Sequence, residues 1–385
     1  MKIALVIERF DSSRGGREKS TAQVAAALAR RGHDVTVFCQ SCQDACEGVR
    51  ILPLKARGMD RAARVDSFAR LVCGAAAEGG FDIVHTTLPM PGANVYQPRG
   101  GLIEAQAAAS LRRRSGLHRA AATLAQPLNR LRLRMRRLER KLVADPNVLC
   151  LAVSEMVARE FMNYYARSER VRVVYNAVDV PDVSGEQRRA WRDECRGRVG
   201  VAPGGPVFLT VATNFVLKGV AEAISAFARW YHSPAGVPGA KLVAVGGRKV
   251  APFRGLARRR RVAKQVVFVE PTAEVFGWYA AADAVLLLSW YDPCSRVVLE
   301  ATRWGIPSVT TVYNGAAEAL AHGAGLVVSS PLDSAGVVAA LTELADADRR
   351  RERSRACLDV ADRLGMDRHV DELLAAYAEV AGKCD

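Results

Sequence analysis

Long apolar runs are missing from this 385-residue chain. No stretch approaches the ~20 consecutive apolar residues that a membrane-spanning helix needs, so no spanning segment is expected. The opening MKIALVIERF is interrupted by Glu8 and Arg9 and lacks a small-residue cleavage site. It reads as a first buried strand rather than a leader, and a cytosolic chain is expected. No G-x-G-x-x-G follows that strand, which counts against a dehydrogenase. Aromatic residues are scarce, at 6%, and none occurs from Ser110 to Lys141, where basic residues are densest. Single-stranded nucleic acid is gripped by aromatics set among basic residues, so no nucleic-acid partner is expected. A basic nucleic-acid-binding protein remains only as the alternative from another class. Acids are outnumbered, with 40 Asp and Glu against 55 Lys and Arg. The nine cysteines are an odd number in a long, well-cored chain, which favours reduced, packed thiols over a disulfide framework. Cys39, Cys42 and Cys46 have C-x2-C-x3-C spacing, but no second Cys/His pair follows nearby. No metal site is expected there.

Half of the residues are apolar, and the length suits about two domains. Apolar runs alternate with segments of helical spacing. KIALVIERF, DVTVFC, FDIVHT and VLCLAVS read as strands in the first half; PVFLTVAT, KLVAVGG, QVVFVE, AVLLLSW and SVTTV do so in the second. Strands separated by helices imply a doubly wound, parallel α/β sheet, here built twice. The segment 182–205 turns polar, charged and glycine-rich. It is read as a linker between an N-terminal domain, 1–181, and a C-terminal domain, 206–366. A final helix, 367–385, is expected to pack back on the first domain. Ligands of such sheets bind at the carboxyl ends of the strands, so the expected site is the cleft between two Rossmann-like domains.

Three loops at strand ends carry the candidate chemistry. In SRGGREKS, Ser13 to Ser20, Gly15 and Gly16 permit close backbone approach before a helix, although ordinary turns supply the same pair. In ATNFVLKG, Ala212 to Gly219, Lys218 stands at a loop-to-helix junction, where a lysine and free N–H groups favour phosphate; the bland alternative is a solvated lysine. In YDPCSRVVLEA, Tyr291 to Ala301, Asp292 and Glu300 flank a helix start. Asp292 with Pro293 suits a helix entry and Glu300 an i,i+4 pair with Arg296. The helix N-terminus also offers the N–H groups of Ser295 and Arg296 to an anion, with one carboxylate on each side of it.

YDPCSRVVLEA followed by TRWGIPSVTT resembles the E-x7-E signature of retaining glycosyltransferases of family four, which have the GT-B fold. GGREKS with ALARRGHDVTVF resembles the family's first loop and helix, VVYNAVDV its inter-domain segment, and LKGVAEAISAFA its phosphate loop and helix. PMPGANVYQ and the basic stretch after it resemble the branch that glucosylates the lipopolysaccharide core. The resemblance implies a donor site in which Glu300 binds ribose hydroxyls and Asp292 the transferred sugar. Lys218 and the Ser295 and Arg296 amides hold the diphosphate, with Thr213, Pro293 and Cys294 beside them and Gly15 and Gly16 admitting the donor. Glu18, Lys19 and His85 fall on the acceptor side; a packed strand-end histidine is the other reading of His85. Departures are Asp292 where the family has glutamate, Thr213 where it often has arginine, and Thr87 where a second histidine is common. The implied reaction moves a hexose from a nucleotide-diphosphate sugar, a UDP-sugar above all, to a hydroxyl of a glycolipid or oligosaccharide acceptor with retention. A sugar-nucleotide epimerase or hydrolase on the same scaffold is the alternative. No metal or other cofactor is expected: Asp346-Ala-Asp348 has D-x-D spacing but falls in a charged C-terminal helix.

From Arg112 to Lys141 there are eleven Arg and Lys and a single acid, Glu139. On a helix Leu131, Met135, Leu138 and Leu142 share one face, flanked by Arg130, Arg132, Arg134, Arg136 and Arg137. A basic amphipathic helix reads as a membrane-surface segment, so 110–141 is expected to meet anionic lipid from the cytoplasmic side. A core-facing helix with a solvated basic side is the alternative.

Overall fold

The computed structural model describes residues 1–12 and 15–382. Ser13 and Arg14, within the SRGGREKS segment, and the last three residues of the expected 367–385 segment lie outside the described residues. The chain forms two compact units. One is Met1–Ala177 with the segment that begins at Gly365; the other is Val178–Leu364.

The first unit is built on seven parallel strands. Their spatial order is Val49–Pro53, Asp34–Cys39, Lys2–Val6, Ile83–Thr86, Val95–Tyr96, Leu149–Ala152 and Val171–Val173. Central strands of such a sheet are covered on both faces, so they read as unbroken apolar runs; Ile3 to Val6 are all buried. The helix Gly16–Arg30 turns Val24, Ala25 and Leu28 into the core. The helix Met366–Ala381 adds Met366, Val370, Leu373, Tyr377 and Val380 to the same core as Ile3 and Val37. The second unit has six parallel strands: Val266–Val269, Lys241–Val245, Val207–Val211, Ala284–Leu287, Ser308–Thr311 and Gly325–Val328.

Each sheet reverses its strand order at one place. In the first unit this falls between Lys2–Val6 and Ile83–Thr86, and in the second between Val207–Val211 and Ala284–Leu287. The connections that leave the carboxyl ends of such a pair run to opposite faces of the sheet, which is where ligands of open α/β sheets bind. The second pair leads into the loops that contain Lys218 and Asp292.

Two expectations are corrected. The segment read as a linker carries the helix Gly185–Arg198, capped by the Ser184 hydroxyl. Arg192 and Arg196 fasten it to the carbonyls of Ala280 to Ala282 and to Asp283, within the second unit. Its only buried residue is Cys195, so arginine contacts hold it instead of an apolar stripe. The basic stretch is not one long helix but three: Ile103–Arg112, Gly116–Ala125 and Arg130–Ala144. In the third, Leu142 is buried, and Leu131 and Met135 line a cavity of the first unit with Leu88 and Met90. Arg130 pairs with Asp60 at 3.4 Å, Arg136 with Glu104 at 2.8 Å, and Arg134 with Asp66. The face assigned to lipid therefore turns inward, and three of its five arginines are ion-paired inside their own unit. Glu139, the lone acid, is buried and accepts from Tyr96 at 2.5 Å and from the Ile103 amide at 2.8 Å.

Candidate active site

In the second unit the polypeptide runs from Val211 through a turn in which Asn214 accepts the Leu217 amide at 3.1 Å. It reaches Lys218 and then Gly219, the N-cap of the helix Val220–Tyr231. Gly219 has φ 65°, and a Cβ built on it would lie 2.0 Å from the Leu288 carbonyl oxygen. Both the left-handed backbone and the approach of the neighbouring strand end demand glycine here. The Trp290 amide donates to the Leu217 carbonyl at 2.9 Å and ties the two loops together.

This contact brings together residues 74 apart in sequence: the Lys218 ammonium forms an ion pair with Asp292 Oδ2. Their side chains are 21% and 12% exposed. Lys218 was expected at the diphosphate and Asp292 at the transferred sugar, with helix capping as the plain alternative for Asp292; that alternative is corrected. Ser295 is the N-cap of the helix Arg296–Arg303, and Asp292 is held through its main chain, its amide donating to the Tyr313 carbonyl and its carbonyl accepting from Gly315, each at 2.9 Å. Its carboxylate is thereby left to Lys218.

The amide of Ser295 is also not open to a ligand as expected. It donates to Asn314 Oδ1 at 3.2 Å; the same oxygen accepts from the Ala316 amide at 3.1 Å, while Asn314 Nδ2 donates to Thr310 Oγ1 at 2.9 Å. Asn314 is 1% exposed, a buried side chain that joins the end of one strand to the start of the candidate helix. The sequence reading missed it; its position just past the strand SVTT was the available signal. Pro293 and Cys294 complete the turn between Asp292 and Ser295, and Cys294 is buried.

Glu300 lies one turn along the helix from Arg296. Arg296 Nη2 donates to its Oε1 at 3.3 Å, and the Tyr279 hydroxyl to its Oε2 at 2.9 Å. Burial, and then the Glu300 carboxylate, push the Tyr279 hydroxyl well above its ordinary range, so it stays a donor. A carboxylate has about four acceptor directions, and two are taken, which leaves capacity for a vicinal diol. Tyr279, like Asn314, was not singled out from sequence. Thr213 is exposed at the carboxyl edge of Val207–Val211.

In the first unit Gly15 is the N-cap of Gly16–Arg30 with extended backbone, φ 175°, which any residue adopts. The Glu18 carboxylate accepts from Arg17 at 2.9 Å, and the Lys19 amide donates to the Gly15 carbonyl at 3.0 Å. His85 ends the strand Ile83–Thr86 and is 2% exposed, with Nδ1 2.5 Å from the Tyr377 hydroxyl. Burial, then the nearby Arg99, push its pKa down to about 3, so the ring is neutral. Nε2 is buried with no hydrogen-bond partner among the described residues. His85 is thus packed beneath the last helix, and its second nitrogen alone retains capacity for a ligand.

Among the described residues no cluster of His, Cys, Asp or Glu could hold a metal ion. Cys39 is buried, which pushes its thiol up to about 11, and Cys42 donates to the Asp44 carbonyl at 2.8 Å. Asp346 caps the helix Ala347–Asp359, accepting the Asp348 and Arg349 amides at 2.9 Å. No helix among the described residues is long and apolar enough to cross a membrane.

Residues 14–181 match the family model Glycosyltransferase Family 4, and residues 192–356 match Glycosyl transferases group 1. The D-inositol 3-phosphate glycosyltransferase of Xylanimonas cellulosilytica is 26% identical over 95% of this chain and 92% of its own length. The lipopolysaccharide glucosyltransferase WaaG of Escherichia coli K12 is 25% identical over 82% of each chain. The crystal structure of WaaG superposes with a TM-score of 0.81 at 22% identity, covering 99% of this chain and 100% of that one. Anabaena HepE in complex with UDP-glucose does so with a TM-score of 0.71 at 18% identity, over 98% and 100%. Two Rossmann-like sheets, each with its reversal point, and two matched family models in this order make the chain a GT-B glycosyltransferase: it belongs to Glycosyltransferase Family 4 through its first half and to Glycosyl transferases group 1 through its second.

Proposed function

We propose that this glycosyltransferase moves a hexose from a nucleotide-diphosphate sugar, a UDP-sugar above all, to a hydroxyl of a cell-envelope glycolipid or polysaccharide. In this reading the reaction retains the anomeric configuration and uses no metal ion. The observation that carries it is the pairing of Lys218 with Asp292 at the strand-order reversal of the second sheet, with Glu300 on the helix that follows Asp292. A departing diphosphate needs positive charge in place before it leaves. Asp292 holds the Lys218 ammonium there without a ligand. When donor binds, the ammonium turns to the diphosphate and the carboxylate is released to the sugar hydroxyls. Glu300, fixed by Arg296 and Tyr279, accepts from the ribose diol. Because Asn314 already takes the Ser295 amide, Lys218 carries most of the charge stabilisation.

The acceptor is assigned to the first unit. A cavity of about 560 Å³ at the carboxyl edge of its sheet is lined by Arg9, Arg61 and Arg64 against one acid, Glu8, together with Leu88, Met90 and Leu131. Such a lining suits an amphiphile with an anionic group. The relatives' names, one with D-inositol 3-phosphate and one with lipopolysaccharide, are compatible with that chemistry. Contact with an anionic membrane, at the inner face of the cytoplasmic membrane, is assigned to Leu117, Leu124 and Leu128, which are 88%, 79% and 80% exposed beside Arg119.

A thermal-shift screen of UDP-, GDP- and ADP-sugars, followed by product analysis with and without a glycolipid acceptor, tests the reading. One donor class should stabilise the protein, by about 2.7 kcal/mol at a hundredfold excess over Kd, and sugar should reach the acceptor with its anomeric configuration kept. Inverted product, or turnover stopped by chelator and restored by divalent metal, would refute the corresponding part. Equal sugar release or epimerisation without acceptor would favour the hydrolase or epimerase instead.

A further inference from the structure

The second unit holds a cavity of about 420 Å³ that no donor-side residue lines. Asp283 and Pro307, in its wall, immediately precede the strands Ala284–Leu287 and Ser308–Thr311. Asp292 and Asn314 follow those strands. The cavity and the donor residues therefore occupy opposite edges of one sheet, separated by roughly 13 Å of strand rise.

Two helices, Gly185–Arg198 and Ala347–Asp359, bring Arg188, Arg189, Arg192, Arg350 and Arg351 to this wall against a single carboxylate, Asp283. That carboxylate is saturated. It accepts from Arg192 at 2.7 Å, Arg196 at 3.0 Å and the Val207 amide at 2.8 Å, with Arg350 at 3.9 Å. Burial alone would push Asp283 up, but Arg192, the Val207 amide and Arg196 outweigh it and hold it below its ordinary range. Arg192 also donates to the carbonyls of Ala280 to Ala282, and Arg350 to those of Leu344 and Ala345. A structural role thus accounts for Arg192, Arg196 and Arg350.

It does not account for the other three. Arg188 lies 4.8 Å over the Trp304 ring and donates to the Trp304 carbonyl at 2.7 Å, both neutral partners. Arg189 is exposed and has no ion-pair partner among the described residues. Among the described residues Arg351 pairs only with the exposed Asp348. Arg188 and Arg192 are four residues apart on one helix, a like-charge spacing that destabilises it. Burial, and then Arg192, lower the proton affinity of Arg188. Positive charge is therefore gathered at a concave surface beyond what the fold neutralises.

We infer that this cavity binds a small phosphorylated anion, at a site separate from the sugar-nucleotide donor. Guanidinium forks match phosphate oxygens two at a time, and the volume falls in the range of small-ligand sites. The inference does not rest on the transferase reading, because none of these residues belongs to the donor site.

Isothermal titration of inorganic pyrophosphate into the full chain, in phosphate-free low-salt buffer, tests it. Wild type and Lys218→Ala, which disables the donor site, should each bind pyrophosphate. Adding Arg189→Glu and Arg351→Glu to the Lys218→Ala background should weaken binding roughly tenfold or more. Both arginines are exposed, so the ligand-free Tm should stay within a few degrees; Arg189→Gln with Arg351→Gln serves if the charge reversals unfold the protein. Equal affinity with and without these changes, or no binding by the Lys218→Ala protein, would overturn the assignment.

Discussion

Replacing Lys218 by alanine separates the chemistry of the candidate site from its stability. The Lys218 and Asp292 side chains are 21% and 12% exposed. The pair thus falls between surface ion pairs, worth up to ~1 kcal/mol, and buried ones, whose rupture costs ~3–5 kcal/mol. Lys218→Ala strands Asp292 without a cation and is expected to cost about 2 kcal/mol. For a unit of this size each kcal/mol lowers Tm by about 2–4 °C, so the fall should be about 4–8 °C. Asp292→Ala alone strands the ammonium, which reaches water more easily and should cost less. The double variant Lys218→Ala/Asp292→Ala removes both charges and should recover part of the loss. Turnover should behave differently. Loss of a donor aimed at developing charge typically lowers kcat by about 10²–10³-fold, and the double variant should recover none of it. Denaturant unfolding of the four proteins gives the coupling energy, and release of nucleotide diphosphate from the donor found in the screen gives kcat. A double variant as unstable as the two single losses added would refute the ion pair. Wild-type kcat in Lys218→Ala would refute its assigned role.

Three further outcomes are expected. Glu300→Gln keeps the shape but removes the charge that Arg296 and Tyr279 orient, so calorimetric UDP affinity should fall about tenfold; an unchanged Kd removes Glu300 from the nucleotide site. His85 has a folded pKa of about 3, below its unfolded value of ~6.5. Between those limits the unfolded chain binds a proton that the folded one does not. Stability should therefore be full above pH ~6.5 and fall on acidification by up to ~1.4 kcal/mol per pH unit from this group; His85→Asn should flatten the slope by that amount, and an identical pH profile would refute the buried neutral ring. Leu117→Ser, Leu124→Ser and Leu128→Ser together should abolish co-sedimentation with anionic vesicles while leaving Tm nearly unchanged; undiminished binding would clear these leucines of the membrane role.

The strands were legible because a parallel sheet covers both faces of its central members, so that IALV and AVLLL announce themselves without partners. The loops at their carboxyl ends were legible as loops. What they do to each other was not. Lys218 and Asp292 are 74 residues apart, and only the adjacency of two non-consecutive strands brings them into contact. What Asn314 joins was hidden for the same reason, since its partners Ser295 and Thr310 belong to different elements. The spacing of Leu131, Met135 and Leu142 correctly identified one helical face but held no information about what covers it. The helix Gly185–Arg198 was hidden because arginine-to-carbonyl contacts attach it and leave no apolar period to read.

The helix Met366–Ala381 completes the core of the first unit, although the ribosome makes it only after all of Val178–Leu364. The second unit is continuous in sequence and has everything it needs once Leu364 has emerged. The first emerges earlier yet waits for Val370, Leu373 and Tyr377, with the flank of its sheet bare to solvent meanwhile. Biogenesis therefore runs against gene order, the earlier-made half being the later to mature. During that interval the nascent chain is most open to chaperones, proteases and aggregation.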